Sequence, residues 1–282
     1  MVSEIYDLYR ATLPNIIRNE RTVKEILSDA SNHILSVKDG NKLIGVSIIR
    51  DNVIYLLCVD KRFQNRGIGT QLLRQSETYI LSSGFTKVIV GASSSYIMPG
   101  VPMNDGAHHF FIRHGYAHSW GDEGCFDMSQ DLAHFACDEN IGDTINGITY
   151  RWATLSDLES ITKCVSDAWE DFVQYYQANQ LYEKDGNIAV LVAEKDGEIV
   201  GTLQVAMNDQ REGLGSVGCT TTMHKHRGQG IAGMLVKLGT KHLKNAGLEK
   251  AFLGYTYTHI LNIYGRAGYK ISMEYFMGQK LL

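Results

Sequence analysis

The sequence predicts an α/β fold, a mixed sheet with helices packed on it, built twice in tandem. Three observations carry that expectation. The apolar run Val53-Ile54-Tyr55-Leu56-Leu57-Cys58-Val59 leads into a polar, glycine-containing stretch, Gln64-Asn65-Arg66-Gly67-Ile68-Gly69-Thr70. Ile68, Leu72, Leu73, Ser76, Tyr79 and Ile80 then recur at helical spacing, so the order is strand, tight turn, helix. The same arrangement returns 163 positions later at Arg227-Gly228-Gln229-Gly230-Ile231-Ala232-Gly233, with Ile231, Leu235 and Leu238 at helical spacing. Further landmarks keep the same order. Gly84–Val90 matches Gly247–Leu253 at offset 163, Arg113-His114-Gly115-Tyr116 matches Arg266-Ala267-Gly268-Tyr269 at 153, and Lys38-Asp39-Gly40 matches Lys195-Asp196-Gly197 at 157. A repeat of this length is a duplicated domain rather than a solenoid unit.

The elements follow in order. Glu4 to Leu13 reads as a helix with Ile5, Leu8 and Tyr9 on one face, and Thr22 to Leu27 as a second. His33–Val37 and Lys42–Ile49 flank Lys38-Asp39-Gly40-Asn41, a hairpin signature. After the glycine turn and its helix come a strand ending at Val90, a long loop holding Pro99 and Pro102, a helix from Asn104 to His114, and closing strands at Tyr116–Trp120 and Cys125–Leu132. Residues 136–145 are polar and aperiodic and read as a linker between domains spanning 1–135 and 146–282. The second domain opens with a strand, Ile148–Trp152, then Thr154-x-x-Asp157, the pattern of a helix-capping box, and a helix through Ile161, Cys164 and Val165. Phe172–Gln180 suggests another helix. Ala189–Ala193 and Ile199–Met207 flank a turn at Asp196-Gly197, and Gly215–Met223 leads into the second glycine turn.

Composition narrows the function. A chain of 282 residues suits two domains. Net charge is −4 with no basic block, against nucleic acid as a main partner. No apolar run approaches the ~20 residues of a membrane helix, and the first residues lack the basic and apolar regions of a signal peptide, so a cytoplasmic protein is expected. Five scattered cysteines without Cys-x-x-Cys point to no metal site, and Cys58 and Cys219 read as small core residues.

The two turns carry the chemistry. The first N–H groups of a helix lack intrahelical partners and bear partial positive charge, and glycine removes the side chains that would hold an anion off. Such a turn can cradle a phosphate. Gln/Arg-x-x-Gly-x-Gly/Ala between strand and helix resembles the acyl-CoA-binding motif of the GNAT family of N-acetyltransferases. The later aromatic-x-x-x-Gly-Tyr, at Phe111–Tyr116 and Tyr264–Tyr269, is also similar to that family.

The resemblance implies an enzyme that moves an acetyl group from acetyl-CoA to a primary amine of a small molecule. Gln64, Asn65, Arg66, Gly67, Ile68, Gly69 and Thr70, and Arg227, Gly228, Gln229, Gly230, Ile231, Ala232 and Gly233, would hold the pyrophosphate. Leu57, Cys58 and Val59, and Thr220, Thr221 and Thr222, would lie along the pantetheine. Asn104 fits a position where the family often has an asparagine touching CoA; its counterpart is Tyr257. The family's thiolate-protonating tyrosine corresponds to Tyr264 in the second half and to Phe111, which has no proton to give, in the first. The family fold opens with a strand that the first half lacks unless another segment supplies it. In tandem members the C-terminal half can do the chemistry, which leaves the first half as support. No general base is evident. Asp167, Glu170, Asp171 and Glu212 would suit a cationic amine but also read as a solvated helix end and a loop, and His224 and His226 read as solvent-facing. A non-catalytic acyl-CoA sensor or scaffold is the alternative. Either a monomer or a homodimer fits.

Overall fold

The computed structural model describes residues 1–16, 20–91, 97–176, 188–209 and 213–282. The chain forms two compact units. One contains Met1–Phe126 and Met273–Leu282, the other Asp127–Ser272.

In the first unit α1 (Val2–Thr12) buries Ile5, Leu8 and Tyr9, and α2 (Glu20–Leu27) follows. The hairpin β1 (His33–Asp39) and β2 (Lys42–Arg50) closes with Asp39 opposite Lys42, around Gly40 at φ +56. Next come β3 (Val53–Val59), α3 (Ile68–Ser82) and β4 (Lys87–Val90). β5 (Val101–Pro102), α4 (His108–Arg113) and β6 (Ala117–His118) are short. The helix expected from Asn104 starts only at His108, because Asp105 accepts the Ala107 N–H (3.0 Å) and holds the preceding residues in a turn. The sheet order is β1-β2-β3-β4-β15-β6, where β15 is Gly278–Leu281. β1 is the edge, and among the described residues no strand lies outside it. The strand that the family fold places first is therefore absent there.

β15 pairs antiparallel with β4, Gly278 opposite Val90 and Leu281 opposite Lys87. The strand expected to close the first domain, β7 (Cys125–Asp131), instead lies beside β13 (Lys250–Tyr257) in the other sheet. Each sequence half thus gives its closing strand to the other half's sheet. The packing suits the exchange. Met277 is fully buried, its N–H reaches His118 Nδ1 (3.2 Å), and its carbonyl accepts from Ser119 N–H (2.7 Å). A Cβ on Gly278 would lie 2.6 Å from Val90 Cγ2, so only glycine fits that crossing.

The second unit's sheet runs β14-β7-β13-β12-β11-β10-β9-β8, where β14 is Lys270–Phe276. Its strands are β8 (Thr144–Ile145), β9 (Ile148–Trp152), β10 (Ile188–Lys195), β11 (Glu198–Asp209) and β12 (Leu214–Thr222). Residues 136–145, expected to join domains, lie inside this unit. Lys241 and Lys244 hold their surroundings through the carbonyls of Glu139 and Phe135 (2.9 and 2.6 Å). The capping box at Thr154 and Asp157 forms, and α5 (Leu158–Ala168) follows. A 3-10 segment, Glu170–Tyr176, replaces the helix expected over 172–180, whose last four residues lie outside the described residues. Gln210, Arg211 and Glu212 also lie outside them. α6 (Ile231–Asn245), α7 (Leu261–Gly265) and β14 (Lys270–Phe276) complete the path.

Alternation along β11 sorts the two faces of this sheet. A Cβ on Gly201 would meet Ile231 and Leu235 of α6, and one on Gly239 of α6 would meet Leu203 and Val205. Thr202 and Gln204 point the other way and bond Tyr176 and Tyr175. Among the described residues no helix is long and apolar enough to cross a membrane, and no cluster of His, Cys, Asp or Glu could hold a metal ion.

Candidate active site

The second unit contains a cavity of about 550 Å³ where β12 and β13 part. These strands pair in parallel over Leu214–Ser216 and Lys250–Phe252, while β12 continues to Thr222 and β13 to Tyr257. Just beyond the paired stretch β12 bulges. Thr221 and Thr222 face Thr202 and Gly201, but Gly218 faces Gln204, so Cys219 and Thr220 share one partner position. An extra residue in one strand reverses which face its later side chains meet. Val217 therefore points at Gly239 of α6, whereas Thr221 reaches Cys164 of α5 (Oγ1–Sγ 3.9 Å). Cys219 takes φ +47, a left-handed value unusual for a side-chain-bearing residue.

The glycine turn forms one wall. Gly228 and Gly230 sit at φ +79 and +80, and a Cβ at Gly228, Gly230 or Gly233 would meet only open space. The missing side chains thus leave the start of α6 uncovered, as an anion cradle requires. Arg227, Gly228, Gly230, Ile231, Ala232 and Gly233 all line the cavity with Thr220, Thr221 and Thr222. Gln229 does not; it turns outward and accepts from Lys195 Nζ (3.3 Å). Arg227 is tied to the carbonyls of Thr222 and Ala168 (3.4 and 3.3 Å).

Tyr264 of α7 also lines the cavity, and its O–H donates to Thr220 Oγ1 (3.1 Å). Burial pushes its phenol up to about 12, so it stays protonated. Trp169, Phe172, Tyr257, Ile260 and Ile263 give the wall aromatic and aliphatic surface that residue spacing did not reveal. His226, expected to face solvent, lines the cavity with its side chain 14% exposed, and neither ring nitrogen has a hydrogen-bond partner. Its place immediately before Arg227 was the available signal. His224 is exposed, and its N–H is accepted by Asp167 (2.7 Å). Ser166 donates to Glu170. Among the described lining residues none is Asp or Glu, so Asp167, Glu170 and Asp171 do not line the cavity, and Glu212 lies outside the described residues.

The first unit repeats the turn but not the surroundings. Asn65 and Gly67 take φ +60 and +82, matching Gly228 and Gly230. The Phe110 ring lies 3.5 Å from where a Cβ on Gly69 would stand, and His114 Nε2 engages Thr70 Oγ1 (3.3 Å). Gln64 Nε2 donates to the Val59 carbonyl (3.0 Å), Arg66 lies over Phe63, and Ile68 packs on Gly45. Cys58 and Val59 are buried and Leu57 is partly so; burial pushes the Cys58 thiol up to about 12. Asn104 is exposed in the turn before α4, whereas its counterpart Tyr257 lines the second unit's cavity. Phe111 is buried edge-on to Tyr116, as Tyr264 is to Tyr269.

A duplicated mixed α/β unit, with a glycine turn opening a helix beside parted strands, is the architecture of an acyltransferase domain. The chain belongs to the GNAT acetyltransferase family. The family's models match residues 3–130 as "Acetyltransferase (GNAT) domain" and 152–269 as "Acetyltransferase (GNAT) family". The family uses acetyl-CoA as cosubstrate. No curated protein matches the sequence closely. Among solved structures the chain is similar to a glucosamine N-acetyltransferase region of a fungal multi-domain GH3 β-N-acetylglucosaminidase (18% identity, TM-score 0.77). That match covers 99% of this chain and 37% of the fungal one, so the present chain spans well under half of that relative. It is also similar to a GCN5-related N-acetyltransferase from Sphaerobacter thermophilus (20%, TM-score 0.73, 99% and 91% covered). A third is a tandem GNAT protein from the clavulanic acid biosynthesis pathway (15%, TM-score 0.72, 99% and 94% covered).

Proposed function

We propose that the second unit is the catalytic half of an acetyl-CoA-dependent N-acetyltransferase that acts on a primary amine of a small molecule, and that the first unit supports it. One observation carries this reading: the cradle, the parted strand and a buried phenol line one cavity in the second unit. In the first unit an aromatic ring lies against the turn and phenylalanine stands in the phenol's place. Acetyl-CoA supplies the acetyl group as a thioester. The open backbone at Gly228, Gly230 and Gly233 fits its phosphates. Thr220–Thr222 lie along the parted strand edge, where they would run beside the pantetheine. Holding amine and thioester side by side lets a neutral amine attack directly, with no enzyme-bound acyl group. As the C–N bond forms and the C–S bond breaks, the departing sulfur takes the Thr220 hydroxyl proton while Thr220 accepts that of Tyr264, so Tyr264 is the acid and Thr220 its relay. The nitrogen loses its extra proton to water, which reprotonates Tyr264.

Titration calorimetry with acetyl-CoA tests the assignment. We expect one site in the parent, lost in Gly230→Glu, which sets bulk and negative charge against the phosphates. Gly230→Asn, which tolerates the left-handed backbone, is the control for strain. Gly67→Glu should bind as the parent does. Loss of binding only in Gly67→Glu would move the working site to the first unit. No binding by the parent would favour a scaffold.

A further inference from the structure

The bulge in β12 is held by a set of hydroxyls that is not repeated at the matching described positions of the first unit. Tyr176 is fully buried, and its O–H donates to the Cys219 carbonyl. Thr202 Oγ1 donates to the Tyr176 oxygen (2.9 Å) and lies 2.7 Å from Thr221 Oγ1. Gln204 Nε2 donates to the neighbouring Tyr175 carbonyl, so the Glu170–Tyr176 segment is fastened to both strands flanking the bulge. The residue after Cys219 is Thr220, which accepts from Tyr264. At matching positions the first unit has Val46 for Thr202, Leu57 for Thr220, Cys58 for Thr221 and Phe111 for Tyr264. Its β3 also carries an extra residue, at Tyr55, but no left-handed one. The left-handed residue and the hydroxyl set therefore occur together, in the unit that has the phenol.

We propose that Tyr176 is a positioning residue for acyl transfer: by holding the Cys219 carbonyl it fixes the bulge that presents Thr220 to Tyr264. A left-handed Cys219 persists only where its surroundings over-determine it. Without the phenol the carbonyl is free to turn, the bulge relaxes, and Thr220 leaves the line on which Tyr264 needs it. Tyr176 touches no reacting atom. It acts through the strand, and the inference rests on the second unit being the catalytic one.

The test uses Tyr176→Phe in the full chain, with calorimetric affinity for CoA and free-thiol release from acetyl-CoA, with a set of small primary amines as acceptors, as readouts. We expect CoA affinity within about threefold of the parent and thiol release slower by about tenfold or more. Tyr176→Phe combined with Tyr264→Phe should be no slower than Tyr264→Phe alone, because both changes disable one proton donor. Parent-like thiol release by Tyr176→Phe, or full multiplication of the two losses, overturns the positioning role and leaves the catalytic reading intact. A parent that binds no acetyl-CoA, or binds it and releases thiol with none of those amines, overturns both. If Tyr176→Phe does not fold, Thr202→Val removes the hydroxyl that holds the phenol and carries the same expectations, and Thr202→Ser should restore the rate.

Discussion

Replacing Met277 near the end of the sequence should loosen the first unit, which is otherwise built from residues 1–126. The Met277 side chain is fully buried, and its sulfur lies 2.7 Å from where a Cβ on Gly100 would stand and 3.2 Å from the same point on Gly91. Met277→Ala removes three heavy atoms from a site whose backbone is pinned by His118 and Ser119, so the gap cannot close by collapse. Large-to-small changes of this kind cost about 2–5 kcal/mol. A value near ~3 kcal/mol corresponds to roughly a hundredfold change in an opening equilibrium. Amide hydrogen exchange read by peptide is the assay. Peptides covering β4, whose partner is β15, should lose about two orders of magnitude of protection, while those covering β10–β12 should change little. If β4 keeps its protection and only peptides from 127–272 respond, the assignment of the C-terminal strand to the first unit's sheet is refuted.

Tyr264→Phe should lower turnover by about a hundredfold or more and leave acetyl-CoA affinity within a few-fold, as steady-state kinetics and calorimetry would show. Because burial raises its phenol to about 12, the neutral donor persists as pH rises, and no alkaline fall in rate below about pH 11 should trace to Tyr264. Arg151, bonded to Asp157 at 2.8 and 2.9 Å, holds that carboxyl well below the usual range, with help from the Thr154 N–H. A depressed carboxylate stabilises the fold above its unfolded value of about 3.9 and loses that contribution as pH falls. Asp157→Asn should cost about 1 kcal/mol at neutral pH and flatten the fall in melting temperature below about pH 4; an unchanged acid limb would contradict this.

Much of this molecule is legible in local pattern. The two glycine turns were readable because a strand, a tight turn and a helix leave both periodicity and glycine in sequence, and Gly67 and Gly230 take the same left-handed conformation. Thr154 and Asp157 form their box because capping is settled within four residues. Strand exchange left no such trace. Cys125–Asp131 is apolar enough for either sheet, and its partner Lys250–Tyr257 lies more than a hundred residues away. Tyr176 was hidden for the same reason, since its value lies in a bond to Cys219 that only tertiary packing creates. His226 lines the cavity instead of facing solvent because side-chain direction at a turn depends on backbone angles that residue type does not specify, whereas Asp167, Glu170 and Asp171 keep to the solvated helix end that their spacing suggested.

The swapped strands bear on how the polypeptide acquires its shape during synthesis. Residues 1–126 are made first, yet β4, paired on one side with β3, meets its other neighbour only after residues 278–281 exist. Until then Lys87–Val90 presents an unpaired edge of the kind that invites mispairing between chains. Asp127–Ser272, by contrast, has all its parts before the chain is finished. The half translated first is therefore the half completed last, and a nascent chain stalled before residue 273 would hold a nearly whole second unit beside an unfinished first one.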